Sequence, residues 1–190
     1  NGVIKDLYEN RRDHNGQPRY EPVVFLPAQP SSIKANLPEL KEFGFYERGI
    51  LNDVVFPYID NNAHMRAKNL SPNKLSEKYG FKLEHVPNVN DSEFLNSLSE
   101  SSRPFAGAFS IRCFQIFKEP IISHFNQRSA EGSGFFLNAH PGVLPNFRGV
   151  MSNVRTMHAD VINPPQRYGW TLHEVDRGID TGDIIWLKTR

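Results

Sequence analysis

The chain has 190 residues, which suits one domain of ordinary size with a single core. Its 22 basic and 21 acidic residues nearly cancel, and Lys and Arg form no run interleaved with aromatic residues, so the sequence predicts no nucleic-acid partner. The single cysteine, Cys113, excludes an internal disulfide and favours a reduced, cytoplasmic setting. No apolar run approaches the roughly 20 residues that a membrane span needs, so we expect no membrane association.

The beginning of the chain is predicted to form a helix and then a strand. Apolar residues recur at helical spacing over residues 2–10, which predicts a short amphipathic helix. Residues 22–26 form a β-branched and aromatic run, which predicts a strand. Because an α/β domain usually opens with a strand that feeds its first helix, we expect that opening strand to be missing from this sequence.

Residues 27–69 contain several prolines and are irregular, so we interpret them as an insertion-like segment with some helix, within a single domain that spans residues 1–190. After this segment, Ser71 at an N-cap position and the proline that follows it open a new helix. The predicted elements from there on are helices at 72–79, 93–98 and 116–125, and strands at 81–86, 105–111, 134–139, 170–175 and 184–187.

The alternation of strands and helices predicts an α/β fold, an open and mostly parallel sheet with flanking helices. The small-residue, apolar run at 105–111 is further predicted to be a central strand, buried on both faces. In such sheets ligands bind in the crevice at the carboxyl ends of the strands. Polar residues at those ends are therefore the candidates for function.

Two such segments stand out. The predicted strand at 134–139 delivers Asn138 and His140 with a spacing that places both side chains on one face of an extended chain, and Pro141 then forces the chain out of the strand. A lone strand-end histidine is more often structural than catalytic. The second segment, 169–185, favours a catalytic role over a structural one. In it an alternating strand is followed by a tight acidic loop around Gly178 and Gly182 and by another apolar strand.

Taken together, these segments resemble the folate-dependent formyltransferases, whose pattern is an Asn-x-His-Pro strand end, a Leu-Pro pair, a Thr-x-His strand and an acidic loop ending in Asp-x-Gly. The residues that match are Asn138, His140, Pro141, Leu144, Pro145 and Gly149 in the first segment, and Thr171, His173, Asp180 and Gly182 in the second. A weaker resemblance extends to residues 113–117, which look like the segment that holds the folate pteridine in that family.

The resemblance implies a Rossmann-like formyltransferase fold and a 10-formyltetrahydrofolate-dependent N-formyltransferase. It implies Asn138, His140 and Asp180 as catalytic residues. The residues implied to bind the folate co-substrate are Phe114, Gln115, Ile116, Phe117, Arg177, Gly178, Ile179 and Asp180. The residues implied to bind the formyl acceptor are Arg148, Gly149 and His173.

These residue types suit acyl transfer. When an amine attacks a formyl carbon, a tetrahedral oxyanion forms, and fixed hydrogen-bond donors are usually the largest stabilising influence on it. The Asn138 amide and a protonated His140 are both donors. Asp180 favours the charged form of His140 and can help to carry away the proton of the amine.

The acceptor stays open between an amino-sugar nucleotide and a hydroxylamine of the N-hydroxyornithine type that occurs in siderophore precursors. Two other functions are compatible with the same residues: hydrolysis of the formylated folate, and a non-catalytic folate-binding module. No His-x-x-x-His pair occurs and Cys113 has no neighbouring cysteine, so we expect no metal. The sequence does not determine the oligomeric state.

Overall fold

The computed structural model describes residues 2–28, 45–66, 70–126 and 134–190. Within them the chain divides into two compact units, Asn1–Pro87 and Asn88–Arg190.

The first unit contains a two-stranded parallel sheet and several helices. Its elements in chain order are α1 (Gly2–Glu9), β1 (Val24–Pro27), a π-helical segment (Phe45–Val55), α2 (Phe56–Asn61), α3 (Ala63–Arg66), α4 (Pro72–Tyr79) and β2 (Leu83–Val86). Strands β1 and β2 pair in parallel, with Val24 opposite Leu83. The core of this unit is a cluster of Tyr8, Leu75 and Phe81, in which the rings of Tyr8 and Phe81 stack at 4.3 Å.

Helix α4 begins and ends where the sequence predicts. The Ser71 hydroxyl accepts a hydrogen bond from the Lys74 backbone N–H at 3.2 Å, which caps the first turn. Gly80 ends the helix in the left-handed conformation, with φ of 71°. The insertion-like segment is helical over residues 45–61 and 63–66, whereas residues 29–44 and 67–69 lie outside the described residues.

The second unit is a four-stranded sheet with three helices among its described residues. Its elements are α5 (Ser92–Ser99), β3 (Gly107–Ile111), α6 (Glu119–Asn126), β4 (Phe135–His140), α7 (Ser152–Ile162), β5 (Gly169–Glu174) and β6 (Ile184–Thr189). The strand order is β3-β4-β5-β6. Strands β3 and β4 are parallel, whereas β4–β5 and β5–β6 are antiparallel. The link at 175–183 is shorter than the dozen or so residues that a parallel crossover needs, which explains the antiparallel β5–β6 pair.

The predicted α/β class with flanking helices is confirmed, and each predicted strand and helix from residue 70 onward is present. The prediction that the strand at 105–111 is central and buried on both faces is wrong. Among the described strands β3 forms an edge of its sheet, and Phe109 and Ile111 on one face of it are exposed. No helix in the described part of the chain is long and apolar enough to cross a membrane.

Candidate active site

The pairing of β4 with β5 brings three of the predicted site residues together. Asn138 lies opposite His173 in the register, and His140 lies opposite Thr171. The Asn138 side-chain nitrogen is 3.1 Å from Nε2 of His173. Asn138 and His140 are two residues apart on one strand and therefore share a face of the sheet, as the sequence predicts.

Asp180 is presented by a loop that is held by its own hydrogen bonds. Asp176 accepts from the Gly178 backbone N–H at 3.0 Å and from the Thr181 hydroxyl at 2.6 Å. A Cβ at Gly178 would lie 1.9 Å from the Thr181 hydroxyl oxygen, so this closure requires glycine. Asp180 itself has a positive φ of 53°, which is uncommon for a residue with a side chain.

The carboxylate of Asp180 is the point on which the site converges. Its Oδ2 accepts from the Gly149 backbone N–H at 2.7 Å and lies 3.2 Å from Nδ1 of His140. Its Oδ1 lies 3.3 Å from the Asn138 side-chain nitrogen and 3.4 Å from Nε2 of His173. The side chain of Asp180 is only 13% exposed, so these contacts form away from bulk water.

The same contacts set the charge of this carboxylate. Burial raises the pKa of Asp180, but hydrogen bonds from His173 and from the Gly149 backbone N–H lower it, and so does the Coulomb attraction of His140 and His173. The lowering contributions prevail, and the pKa of Asp180 lies below its ordinary value. Asp180 therefore stays ionised at neutral pH.

Both ring nitrogens of His140 face oxygen acceptors. Nε2 lies 2.7 Å from the Phe147 carbonyl oxygen, which only accepts hydrogen bonds, and Nδ1 faces the Asp180 carboxylate. Each ring nitrogen that carries a hydrogen can therefore donate to an oxygen acceptor. The residue is 4% exposed, so both contacts are buried.

The loop that follows His140 is fixed from two sides. The buried Thr171 hydroxyl donates to the Gly142 carbonyl at 2.6 Å and accepts from the Leu144 N–H at 3.2 Å. The Ser152 hydroxyl donates to the Pro141 carbonyl at 2.6 Å. A Cβ at Gly142 would lie 2.9 Å from Nε2 of the His140 ring, so glycine allows the loop to pass close beside the imidazole.

The segment with predicted folate contacts, Phe114 to Phe117, is anchored at both of its ends. The Gln115 side-chain oxygen accepts from the Val89 N–H at 2.7 Å. The Phe117 ring packs edge-on against Phe136 of β4, with centroids 4.6 Å apart. The side chain of Ile116 between them is exposed.

Asn90 holds the backbone of the same segment through both of its side-chain polar atoms. Its Nδ2 donates to the Ile116 carbonyl at 2.9 Å, and its Oδ1 accepts from the Lys118 N–H at 2.7 Å. The sequence does not mark Asn90 as a site residue, because its partners are backbone atoms of residues far along the chain.

An ion pair between Arg177 and Glu119 holds the acidic loop near the segment at 114–117. Nε of Arg177 lies 2.5 Å from a carboxylate oxygen of Glu119, the first residue of α6. The hydrogen bond from Arg177, and next that from Ser123, lowers the pKa of Glu119. The two segments with predicted folate contacts are thus adjacent, and Ile179 in the acidic loop is exposed, as Ile116 is in the other segment.

Of the three residues with predicted acceptor contacts, His173 and Gly149 contact Asp180 directly. Arg148 is exposed, and its carbonyl accepts a hydrogen bond from the Arg155 guanidinium. Within the described ranges no group of three or more His, Cys, Asp or Glu side chains is arranged to hold a metal ion.

The fold and the site therefore define an α/β protein with an amide, two imidazoles and a carboxylate at the end of one strand pair. Residues 81–189 match the family described as Formyl transferase, which is more than half of the chain. The chain belongs to this family.

Two curated relatives are both named methionyl-tRNA formyltransferase. The chain is 27% identical to the protein of Halothermothrix orenii over 120 residues, which cover 60% of this chain and 32% of that protein. It is 26% identical to the protein of Finegoldia magna over 98 residues, which cover 52% of this chain and 27% of that protein. The chain thus spans about a third of the length of the curated relatives that it matches.

A crystal structure of phosphoribosylglycinamide formyltransferase from Anaplasma phagocytophilum is similar in fold. The similarity covers 65% of this chain and 54% of the chain in that structure, with a TM-score of 0.50 and 19% sequence identity.

Proposed function

We propose that this chain transfers a formyl group from 10-formyltetrahydrofolate to the amine or hydroxylamine of a small molecule, in the cytoplasm. The observation that carries the proposal is the convergence of Asn138, His140 and His173 on the ionised carboxylate of Asp180. Family membership supports formyl transfer as the reaction.

The proposed chemistry assigns a role to each of these groups. The acceptor nitrogen attacks the formyl carbon, and the carbonyl electron pair moves onto the formyl oxygen. The Asn138 contact with Asp180 is long, at 3.3 Å, so a substrate oxygen can replace it. His140 is proposed to stabilise the oxyanion electrostatically in its protonated form.

Asp180 is the proposed acceptor of the proton that the attacking nitrogen loses, because it stays ionised and lies beside the reacting groups. When the oxyanion collapses, the bond from the formyl carbon to the folate nitrogen breaks, and that nitrogen takes up the proton. The products are the formylated acceptor and tetrahydrofolate.

The proposed folate contacts are those of the two adjacent segments. Phe114, Gln115, Ile116 and Phe117 are assigned to one side of the folate ring, and Arg177, Gly178, Ile179 and Asp180 to the other. The Glu119–Arg177 pair supports this pairing, and the exposed side chains of Ile116 and Ile179 offer apolar surface that suits a flat ring.

The acceptor is proposed to be an amino-sugar nucleotide or an N-hydroxyornithine-type hydroxylamine, bound through Arg148, Gly149 and His173. Gly149 and His173 contact Asp180, so an acceptor held there has its nitrogen beside the proposed proton acceptor. The curated relatives are named for methionyl-tRNA, which makes a charged tRNA the third acceptor to test.

The test is incubation of the chain with 10-formyltetrahydrofolate and a panel of these acceptors, with tetrahydrofolate followed by absorbance and the formylated product by mass. Transfer should fall about 10²–10³-fold in Asn138→Ala and His140→Ala, the usual cost of removing an oxyanion-stabilising group. The matched control is His158→Ala on an exposed part of α7, which should retain native turnover.

Each result has a distinct meaning. Release of formate without an acceptor product would replace the proposal with hydrolysis. Folate binding without turnover would replace it with a non-catalytic folate-binding module. Near-native rates in both site variants would contradict the catalytic assignment.

A further inference from the structure

Ser110 on β3 has a buried hydroxyl that bonds to nothing in the described part of the protein. The residue is 6% exposed, and its Oγ has no hydrogen-bond partner there. Native structures rarely leave a buried hydroxyl unsatisfied. The other buried serine and threonine side chains in the described ranges each make a hydrogen bond: Ser71, Ser152, Thr156 and Thr171.

The sheet register places this hydroxyl beside the catalytic residues. Ser110 is the partner of Asn138 in the parallel β3–β4 pair, and Asn138 is the partner of His173 in the antiparallel β4–β5 pair. Register partners on neighbouring strands present their side chains to the same face of a sheet. Ser110, Asn138 and His173 therefore form one row across three strands, on the face where Asp180 lies.

The hydrogen-bond donors around Asp180 are already engaged. The Asn138 side-chain nitrogen lies 3.1 Å from Nε2 of His173 and 3.3 Å from Oδ1 of Asp180. The His140 ring nitrogens meet Phe147 and Asp180, and the Gly149 N–H meets Asp180. A developing oxyanion can use any of these donors only after a protein contact breaks. The Ser110 hydroxyl gives up no described contact.

We infer that Ser110 is a further catalytic residue, whose hydroxyl donates a hydrogen bond to the formyl oxygen as that oxygen becomes the oxyanion. The inference rests on the proposed function. The serine proton is not transferred. It stays on Oγ while the acceptor nitrogen bonds to the formyl carbon, and the hydrogen bond weakens again when the carbonyl re-forms and the folate nitrogen leaves.

The test compares Ser110→Ala and Ser110→Cys with the native chain. Ser110→Ala removes a hydroxyl without a described protein partner, so Tm should stay equal or rise. Its kcat should fall about 10²–10³-fold with little change in the KM for either substrate, because the interaction forms in the transition state. A thiol is a weak donor, so Ser110→Cys should have a kcat between those of the native chain and the alanine variant.

Ser152→Ala is the matched control, because the buried Ser152 hydroxyl does make a hydrogen bond. Its Tm should fall, since the Pro141 carbonyl loses its donor. If the native chain transfers formyl groups and Ser110→Ala has the native kcat, the role of Ser110 is overturned and the proposed function stands. If Ser110→Ala loses Tm as Ser152→Ala does, the hydroxyl is structural and the inference is overturned. Failure of the native chain to transfer a formyl group from 10-formyltetrahydrofolate to any acceptor overturns both.

Discussion

The backbone N–H of Gly149 donates a 2.7 Å hydrogen bond to the carboxylate of Asp180. Gly149 has a φ of 78°, in the left-handed region that side chains disfavour, so glycine lets the chain direct its N–H at this carboxylate. The bond joins the loop after β4 to the acidic loop after β5, and it is one of the contacts that lower the pKa of Asp180.

Gly149→Ala should therefore reduce turnover by more than its effect on stability explains. The added Cβ meets no atom within 4 Å, so the cost is conformational strain of about 1–2 kcal/mol. That strain favours a backbone in which the N–H leaves Asp180. Steady-state kinetics and thermal unfolding of the variant are the measurements.

Gly80→Ala is the matched control, because Gly80 also has a positive φ, 71°, and open space around its Cβ position. The Tm of Gly80→Ala should fall by an amount comparable to that of Gly149→Ala, and its turnover should stay native. Equal turnover in the two variants would contradict the role of the Gly149 N–H.

The sequence predicts those features of the site that are local. The two-residue spacing of Asn138 and His140 is sufficient to place both side chains on one strand face, and Ser71 and Gly80 are sufficient to define both ends of α4. The approach of Asp180 to this strand follows from the resemblance to the formyltransferases. The sequence alone contains no spacing signal for it, because the contact depends on how β5 pairs with β4.

Other features of the structure cannot be predicted from the sequence, for physical reasons. Helix α7 buries the small polar residues Ser152 and Thr156 and exposes Val154 and Met157, so its apolar residues do not mark the buried face. The Phe147 carbonyl and the Gly149 N–H act through the backbone, which any residue carries. Such partners become visible only in three dimensions.

Asp180→Asn should lose stability in a pH-dependent way. The native contacts lower the pKa of Asp180 below its unfolded value, so the ionised carboxylate stabilises the fold above about pH 4. That contribution is lost as pH falls through the lowered pKa. The free energy of unfolding of the variant should be about 1–3 kcal/mol below the native value at neutral pH, and the gap should close on acidification. Denaturant unfolding between pH 7 and acid conditions measures this gap, and a gap that does not change with pH would exclude the mechanism.

The same substitution should also abolish most activity, because an amide does not take up the proton of the attacking nitrogen. The pH optimum of the residual activity should move downward, since the variant lacks the charge that favours a protonated His140. A pH–rate profile that retains native height and position would contradict both roles of Asp180.

The Glu119–Arg177 pair should control folate affinity more than stability. Both side chains are largely exposed, so solvent screens the pair and it contributes little to folding. Charge reversal in Glu119→Arg or Arg177→Glu places like charges between the two folate segments and should raise the KM for the formylated folate. Combining the two reversals restores opposite charges and should lower that KM again. A double variant no better than Arg177→Glu alone would show that Arg177 acts by itself.

Asn90 should determine the KM for the formyl donor through the backbone of the segment that it holds. Asn90→Ala removes both of its hydrogen bonds, to Ile116 and Lys118, whereas Asn90→Asp keeps the acceptor for the Lys118 N–H and loses the donor to the Ile116 carbonyl. Each lost bond costs about 0.5–1.5 kcal/mol. The KM for the formyl donor should therefore rise in both variants, and it should rise more in Asn90→Ala than in Asn90→Asp.

Asn61→Ala is the control for Asn90, because it removes a side-chain hydrogen bond of similar length, 2.9 Å to the Pro57 carbonyl, at the end of α2. It should lose a similar Tm and leave the donor KM unchanged. The acceptor KM should stay native in all three variants, since within the described residues Asn90 bonds to Asn88, Ile116 and Lys118 and not to the residues with proposed acceptor contacts. A rise in the acceptor KM with an unaltered donor KM would reassign the segment at 114–117 from the folate to the acceptor.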